Sequence, residues 1–177
     1  MKFKGTLFGL SIVLTLVLVS GIAKSATQDK YTVKVPNGLA FSEFRGYESW
    51  QTISVSKSEK LMAVILGDPM MIKAYESGIP GNGKPFPDGA KMAKIHWTPK
   101  KSADAPAPTT VPGTLHDIDF MVRDSKRFPT GAWGYAQFLY DAASDTFKPD
   151  GTGANCGVAC HTIVKSKDYV FTAYPKR

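Results

Sequence analysis

At 177 residues, with 43% hydrophobic and 21% charged side chains, the chain has the length and composition of one globular domain with a real core, which excludes a disordered or fibrous class. Its formal charge of +7 is scattered along the chain, so a nucleic-acid-binding stripe is excluded as well.

The first 25 residues read as an export signal. Lys2 and Lys4 precede Leu7 to Ile22, an uncharged stretch rich in Leu, Val and Ile, and small residues around Ala23, Ser25 and Ala26 offer a cleavage site. The stretch is shorter than the roughly 20 residues a spanning helix needs. That favours a cleaved signal peptide over a retained anchor, and no cysteine follows it to carry a lipid. Loss of residues 1–25 removes Lys2, Lys4 and Lys24 and lowers the formal charge from +7 to +4. The expected mature domain is residues 26–177 of an exported, periplasmic protein with no stable membrane insertion.

Residues 51–57 (QTISVSK) alternate apolar and polar, the pattern of a half-buried strand, and Lys60 to Leu66 reads as a second, more buried one. Asp68-Pro69 then supplies a helix cap and a proline at the first helical position. Met70, Met71, Ala74 and Tyr75 form the apolar face, and Gly78 the stop. A Gly/Pro loop over 79–89 leads to a third strand, Ala90 to Trp97, in which Met92, Lys94 and His96 share one face. Residues 98–113 read as a polar, Pro/Ala-rich loop. Leu115 to Val122 is a fourth strand, with Leu115, Asp117, Asp119 and Met121 on one face, and Trp133 to Tyr140 an aromatic-rich fifth. A polar, glycine-rich approach over 141–155 precedes the cysteines, and Asp168 to Ala173 reads as a last short strand. The expected class is α+β, mainly β: an antiparallel sheet of about five strands with a few short helices.

The strongest chemical signal is Cys156-Gly157-Val158-Ala159-Cys160-His161. Covalent c-type haem needs two thiols to add across the vinyl groups and an adjacent histidine to reach the iron. Here three residues separate the thiols instead of the usual two, so attachment through both requires one residue to be looped out; the alternative is a single thioether at Cys160. Two competing readings remain at this point: a Cys156–Cys160 disulfide, the default in an exported protein, and a zinc site, which is short of ligands.

Five blocks in order, DPMMIKAYESG, PDGAKMAKIHW, DIDFMVRDSKRF, WGYAQFLY and CGVACHTIVKSKDYVFT, make the chain from about Tyr47 onward resemble cytochrome P-460, a family related to the β-sheet cytochromes c′. The resemblance implies one covalent haem c per chain, with His161 as the iron ligand and Cys160 and Cys156 as the thioether cysteines, in a homodimer. It implies oxidation of hydroxylamine or a related small nitrogen species at a five-coordinate haem, with electrons passed to an external acceptor such as a soluble cytochrome. The lysine that the family bonds to the haem ring falls on Lys94, and the pocket carboxylate that accepts protons falls on Asp119, with Asp117 as its substitute. Where the enzymes carry a distal arginine this chain has Ala63. An apolar distal wall of Met62, Val64 and aromatic residues is therefore expected, which suits the related non-catalytic binding of nitric oxide or another gas. His96 and His116 are read as hydrogen-bonded strand residues outside the site, and the methionines as core.

Overall fold

Alternating strand patterns separated by turn residues build a six-stranded antiparallel sheet in which every strand pairs with its sequence neighbour. The computed structural model describes Met1 and residues 27–36, 38–150 and 153–177; the expected signal peptide lies outside the described residues. The strands are β1 (Gln51–Lys57), β2 (Met62–Gly67), β3 (Lys91–Lys101), β4 (Thr110–Arg123), β5 (Trp133–Asp141) and β6 (Thr146–Pro149). Helix α1 (Pro69–Glu76) follows β2, and α2 (Gly153–His161) follows β6. Among the described residues no helix is long and apolar enough to cross a membrane.

The period of two sorts the sheet into two faces. On one, Leu66, Ala93, Phe120, Ala136 and Phe138 pack beneath the N-terminal segment, which contributes Val35, Leu39, Phe41, Phe44 and Tyr47. Phe44 stacks on Phe120 with ring centroids 4.2 Å apart. On the other face Ile65, Met92, Met121, Trp133 and Tyr135 pack with Met71, Ile72 and Tyr75 of α1, and with Phe86 and Val170. Helix α1 forms as its cap signals require. The Asp68 carboxylate accepts from the Met71 N–H at 2.8 Å, a contact worth about 1 kcal/mol, and Pro69 opens the first turn. Its buried stripe is Met71, Ile72, Ala74 and Tyr75; Met70 is exposed.

Four sequence expectations need correction. Strand β3 continues through Pro99 to Lys101 and β4 begins at Thr110, because Pro99 and Pro112 stand opposite each other at an irregular stretch of the ladder that tolerates them. Residues 146–149 form a sixth strand, too short to show a pattern within a polar stretch. Residues 168–173 are not a strand: Asp168 (φ 49°) and Tyr169 (φ 63°) both adopt left-handed backbone, which no ladder accommodates. Finally, the register passes from His96↔Asp117 to Trp97↔Leu115, leaving His116 as an extra residue. That bulge puts Leu115 against the N-terminal-segment core, away from the face that carries Asp119 and Met121.

Candidate functional site

The Cys156–His161 segment is one continuous helical stretch within α2, which corrects the expected looped-out residue: the helix itself brings both thiols to one side. A spacing of four puts Cys156 and Cys160 one turn apart on the same side of the helix, and both are exposed, unbonded thiols. The glycine in the spacer has a packing reason. Helix α2 lies against β5, and a Cβ at position 157 would stand 2.5 Å from Tyr135 Cγ and 2.6 Å from its Cβ. Only glycine lets the helix approach this closely.

His161 ends the helix with its ring fixed. Its Nδ1 lies 2.6 Å from the Tyr169 carbonyl oxygen, which can only accept, so Nδ1 carries the proton and Nε2 is left with a free lone pair. Burial lowers the imidazole pKa and the Lys94 charge adds to that, outweighing the upward pull of the carbonyl bond. The ring is therefore neutral at pH 7, held between Tyr135 (centroids 4.7 Å apart) and Phe171 (5.0 Å). A neutral imidazole with Nδ1 anchored on a carbonyl is the state in which histidine binds a metal.

His161 lines a cavity of about 520 Å³ on the sheet face opposite the N-terminal segment. Its walls include Ile65, Met92, Met121, Lys94 and Asp119. The residues fit a haem: two free thiols on one helix face, an imidazole presenting Nε2, and a cofactor-sized apolar cavity. Tyr135 also borders the cavity, and its buried hydroxyl finds no partner among the described residues, as expected where a group supplied from outside the chain completes the site.

Both of the further site residues expected from the sequence reach this cavity. Lys94 on β3 and Asp119 on β4 are register partners. Among the described residues the Lys94 ammonium has no hydrogen-bond or ion-pair partner. Asp119 is pushed up to about 6, first by burial and then by the Asp117 charge, against the opposing pull of His96, Lys94 and Gln137. Its side chain keeps 38% exposure, which opens onto the cavity, while protein surrounds the rest.

Asp117 is not a second cavity carboxylate. It is buried, and its oxygens are taken at 2.5 Å each by His96 Nδ1 and His116 Nδ1. Burial raises its pKa, but the two imidazoles outweigh that and hold it below the usual value. His96 Nδ1 also lies 3.7 Å from Asp119 Oδ2. Ligand atoms of His96, Asp117 and Asp119 are close enough together to hold a cation. The hydrogen bonds already satisfy Asp117 without one, so the group reads as a polar network behind Asp119.

The distal wall differs from expectation. Met62, Ala63 and Val64 do not line the cavity; Ile65, Met92 and Met121 do, with Ser54 and Ser56 of β1. Alternation removes Val64, which packs on the opposite face, whereas Ala63 shares the face of Ile65 but stands outside the cavity lining. Sequence reasoning missed the two serines, His96 as a neighbour of Asp119, and the Tyr169 carbonyl. The shared face of Lys94 and His96 was a usable signal for His96; the serines and the carbonyl had none.

A family profile described as Cytochrome P460 matches residues 44–172. Curated proteins give no match.

Proposed function

The chain belongs to the cytochrome P460 family, and from that premise of a haem cytochrome we propose that it is an exported, periplasmic oxidoreductase oxidising hydroxylamine or a related small nitrogen species. In this reading Cys160 and Cys156 would hold one haem c covalently, His161 Nε2 would bind its iron and Lys94 would be bonded to the ring. The observation that carries it is the convergence on one cavity of the fixed, neutral His161, the unpartnered Lys94 and a carboxylate poised near neutrality.

The haem, when bound, supplies a redox-active iron with an open position. The chain supplies the rest. Oxidation of hydroxylamine releases protons, and Asp119, with its pKa of about 6, is mostly ionised at pH 7 and able to take one. Ile65, Met92 and Met121 exclude water from one wall, while Ser54 and Ser56 offer hydroxyls at another edge. Electrons leave to an external acceptor such as a soluble cytochrome, and the protein works as a homodimer.

One observation favours a second reading, a non-catalytic binder of nitric oxide or another gas. Among the described residues no arginine lines the cavity, and its aliphatic and methionine wall suits an uncharged ligand better than a polar one. Turnover decides. Haem-loaded protein given hydroxylamine and a chemical oxidant is expected to consume it, and its reduced form to show a red-shifted Soret band. No turnover, with an ordinary c-type spectrum that shifts on nitric oxide addition, would overturn the enzymatic reading in favour of the binder.

A further inference from the structure

The carbonyl that fixes His161 belongs to a residue outside its helix, in an unusual backbone state. After α2 the chain makes a tight 3₁₀ stretch (Thr162–Lys167) that kinks at Val164, and then places two consecutive non-glycine residues in the left-handed region. Each such residue costs roughly 1 kcal/mol or more, and a pair persists only where the surroundings hold it.

Backbone bonds from the Asp168, Tyr169 and Val170 N–H groups to the Lys165, Val164 and Lys167 carbonyls close the turn, and one carboxylate ties it to the sheet. Asp168 Oδ2 accepts from the Phe86 N–H at 2.7 Å and from Arg123 Nε at 3.2 Å, at the end of β4. Arg123 is itself fixed, its Nη1 donating to Asp88 Oδ1 at 2.5 Å, and Asp88 is tied to the Ser125 N–H and hydroxyl. The Arg123 and Asp168 side chains are largely buried, so water does little to loosen the pair. Behind the turn the Tyr169 ring lies over Gly131, where a Cβ would come within 3.0 Å of it.

We propose that Asp168 is the positioning residue of the axial histidine: by clamping the left-handed turn to Arg123 and to the Phe86 N–H, it aims the Tyr169 carbonyl at His161 Nδ1. A well-aligned Nδ1–H···O=C bond gives the imidazole partial imidazolate character and makes Nε2 a stronger donor to iron. Asp168 thus acts on the metal through a backbone oxygen, from the rigid end of β4. The inference rests on the haem reading of His161.

The test uses full-length, haem-loaded protein and two spectroscopic readouts, the iron–histidine stretch of the reduced form by resonance Raman and the reduction potential. Asp168→Ala is expected to shift the stretch to lower frequency and the potential upward, since a weaker donor stabilises the oxidised iron less. Asp168→Asn keeps an acceptor for the Phe86 N–H but loses the charge on Arg123, and is expected to move both in the same directions by less. If Asp168→Ala does not fold, Asp168→Asn decides alone. Wild-type values of both readouts in Asp168→Asn, with only a lower melting temperature, would make Asp168 merely structural and overturn the inference. A wild-type protein without any iron–histidine band would instead refute the haem reading, a separate and recognisable failure.

Discussion

Lys94 and Asp119 stand directly opposite each other in the β3–β4 ladder, on the wall of the cavity that His161 also lines, yet they form no ion pair. An ammonium and a carboxylate in register would ordinarily neutralise one another across a strand pair. Here Asp119 is turned into the company of His96 and Asp117, and its pKa is raised instead of lowered. Both groups thus remain chemically available to whatever fills the cavity.

The raised pKa of Asp119 predicts a pH profile. Hydroxylamine oxidation should rise with pH through about 6 as the carboxylate ionises, and Asp119→Asn should remove that limb and slow turnover by about 100-fold or more. Stability carries the opposite slope. Because the folded pKa lies above the unfolded value of 3.8, the folded state binds the extra proton between about 4 and 6, and stability falls as pH rises through that window. Exposure to the cavity screens the effect to about 1 kcal/mol. Steady-state rates and urea titrations at pH 4.5 and 7 check both slopes; a flat wild-type rate profile would remove Asp119 from the role of base.

Replacing Lys94 tests the macrocycle bond. Lys94→Ala should return the reduced Soret band to the position of an ordinary c-type haem, and mass spectrometry of peptides should no longer find a haem-linked residue on β3. A Lys94→Ala spectrum identical to wild type would mean that the lysine makes no bond to the ring.

Attachment through sulfur is separable by residue. Cys160 adjoins His161, so its thiol and the imidazole proposed to bind iron are fixed by one pair of residues, whereas Cys156 sits a turn earlier on α2. Cys160→Ala should lose most covalent haem, and Cys156→Ala should keep one thioether. Mass spectrometry of acid-extracted protein reads both outcomes, and equal retention in the two variants would contradict the asymmetry.

What the sequence shows of this molecule follows from where its signals are local. The cap at Asp68, the span of β1 and the shared face of Lys94 and His96 depend on residues a few positions apart, and they appear in the fold as read. The bulge at His116 is invisible in the pattern, because a period of two counts residues and cannot announce that one is skipped. Leu115 was misplaced for that reason. Strand β6 is four residues long, pairs only with β5 and so forms the sheet edge, leaving it too few positions to alternate. The Tyr169 carbonyl could not be found at all, since it is a backbone atom whose aim depends on two left-handed residues and on an arginine 45 positions away from Asp168.

Gly157 makes the sharpest test of the site's architecture, because two physical effects predict opposite signs. Alanine is the better helix former by about 1 kcal/mol, so propensity alone makes Gly157→Ala stabilising. Sterics say otherwise. The new methyl would meet the buried Tyr135 ring at 2.5 Å, and that ring also packs against His161 of the same helix. Helix α2 would have to lift from β5, costing about 1–3 kcal/mol and carrying His161 away from the cavity. Lower melting temperature and less haem per chain, by pyridine haemochrome assay, are the expected results. The partly exposed Val158, in the same spacer, provides the control, since Val158→Ala should leave haem content unchanged. A Gly157→Ala protein that is more stable than wild type and fully loaded would show that the approach of α2 to Tyr135 is looser than this packing requires.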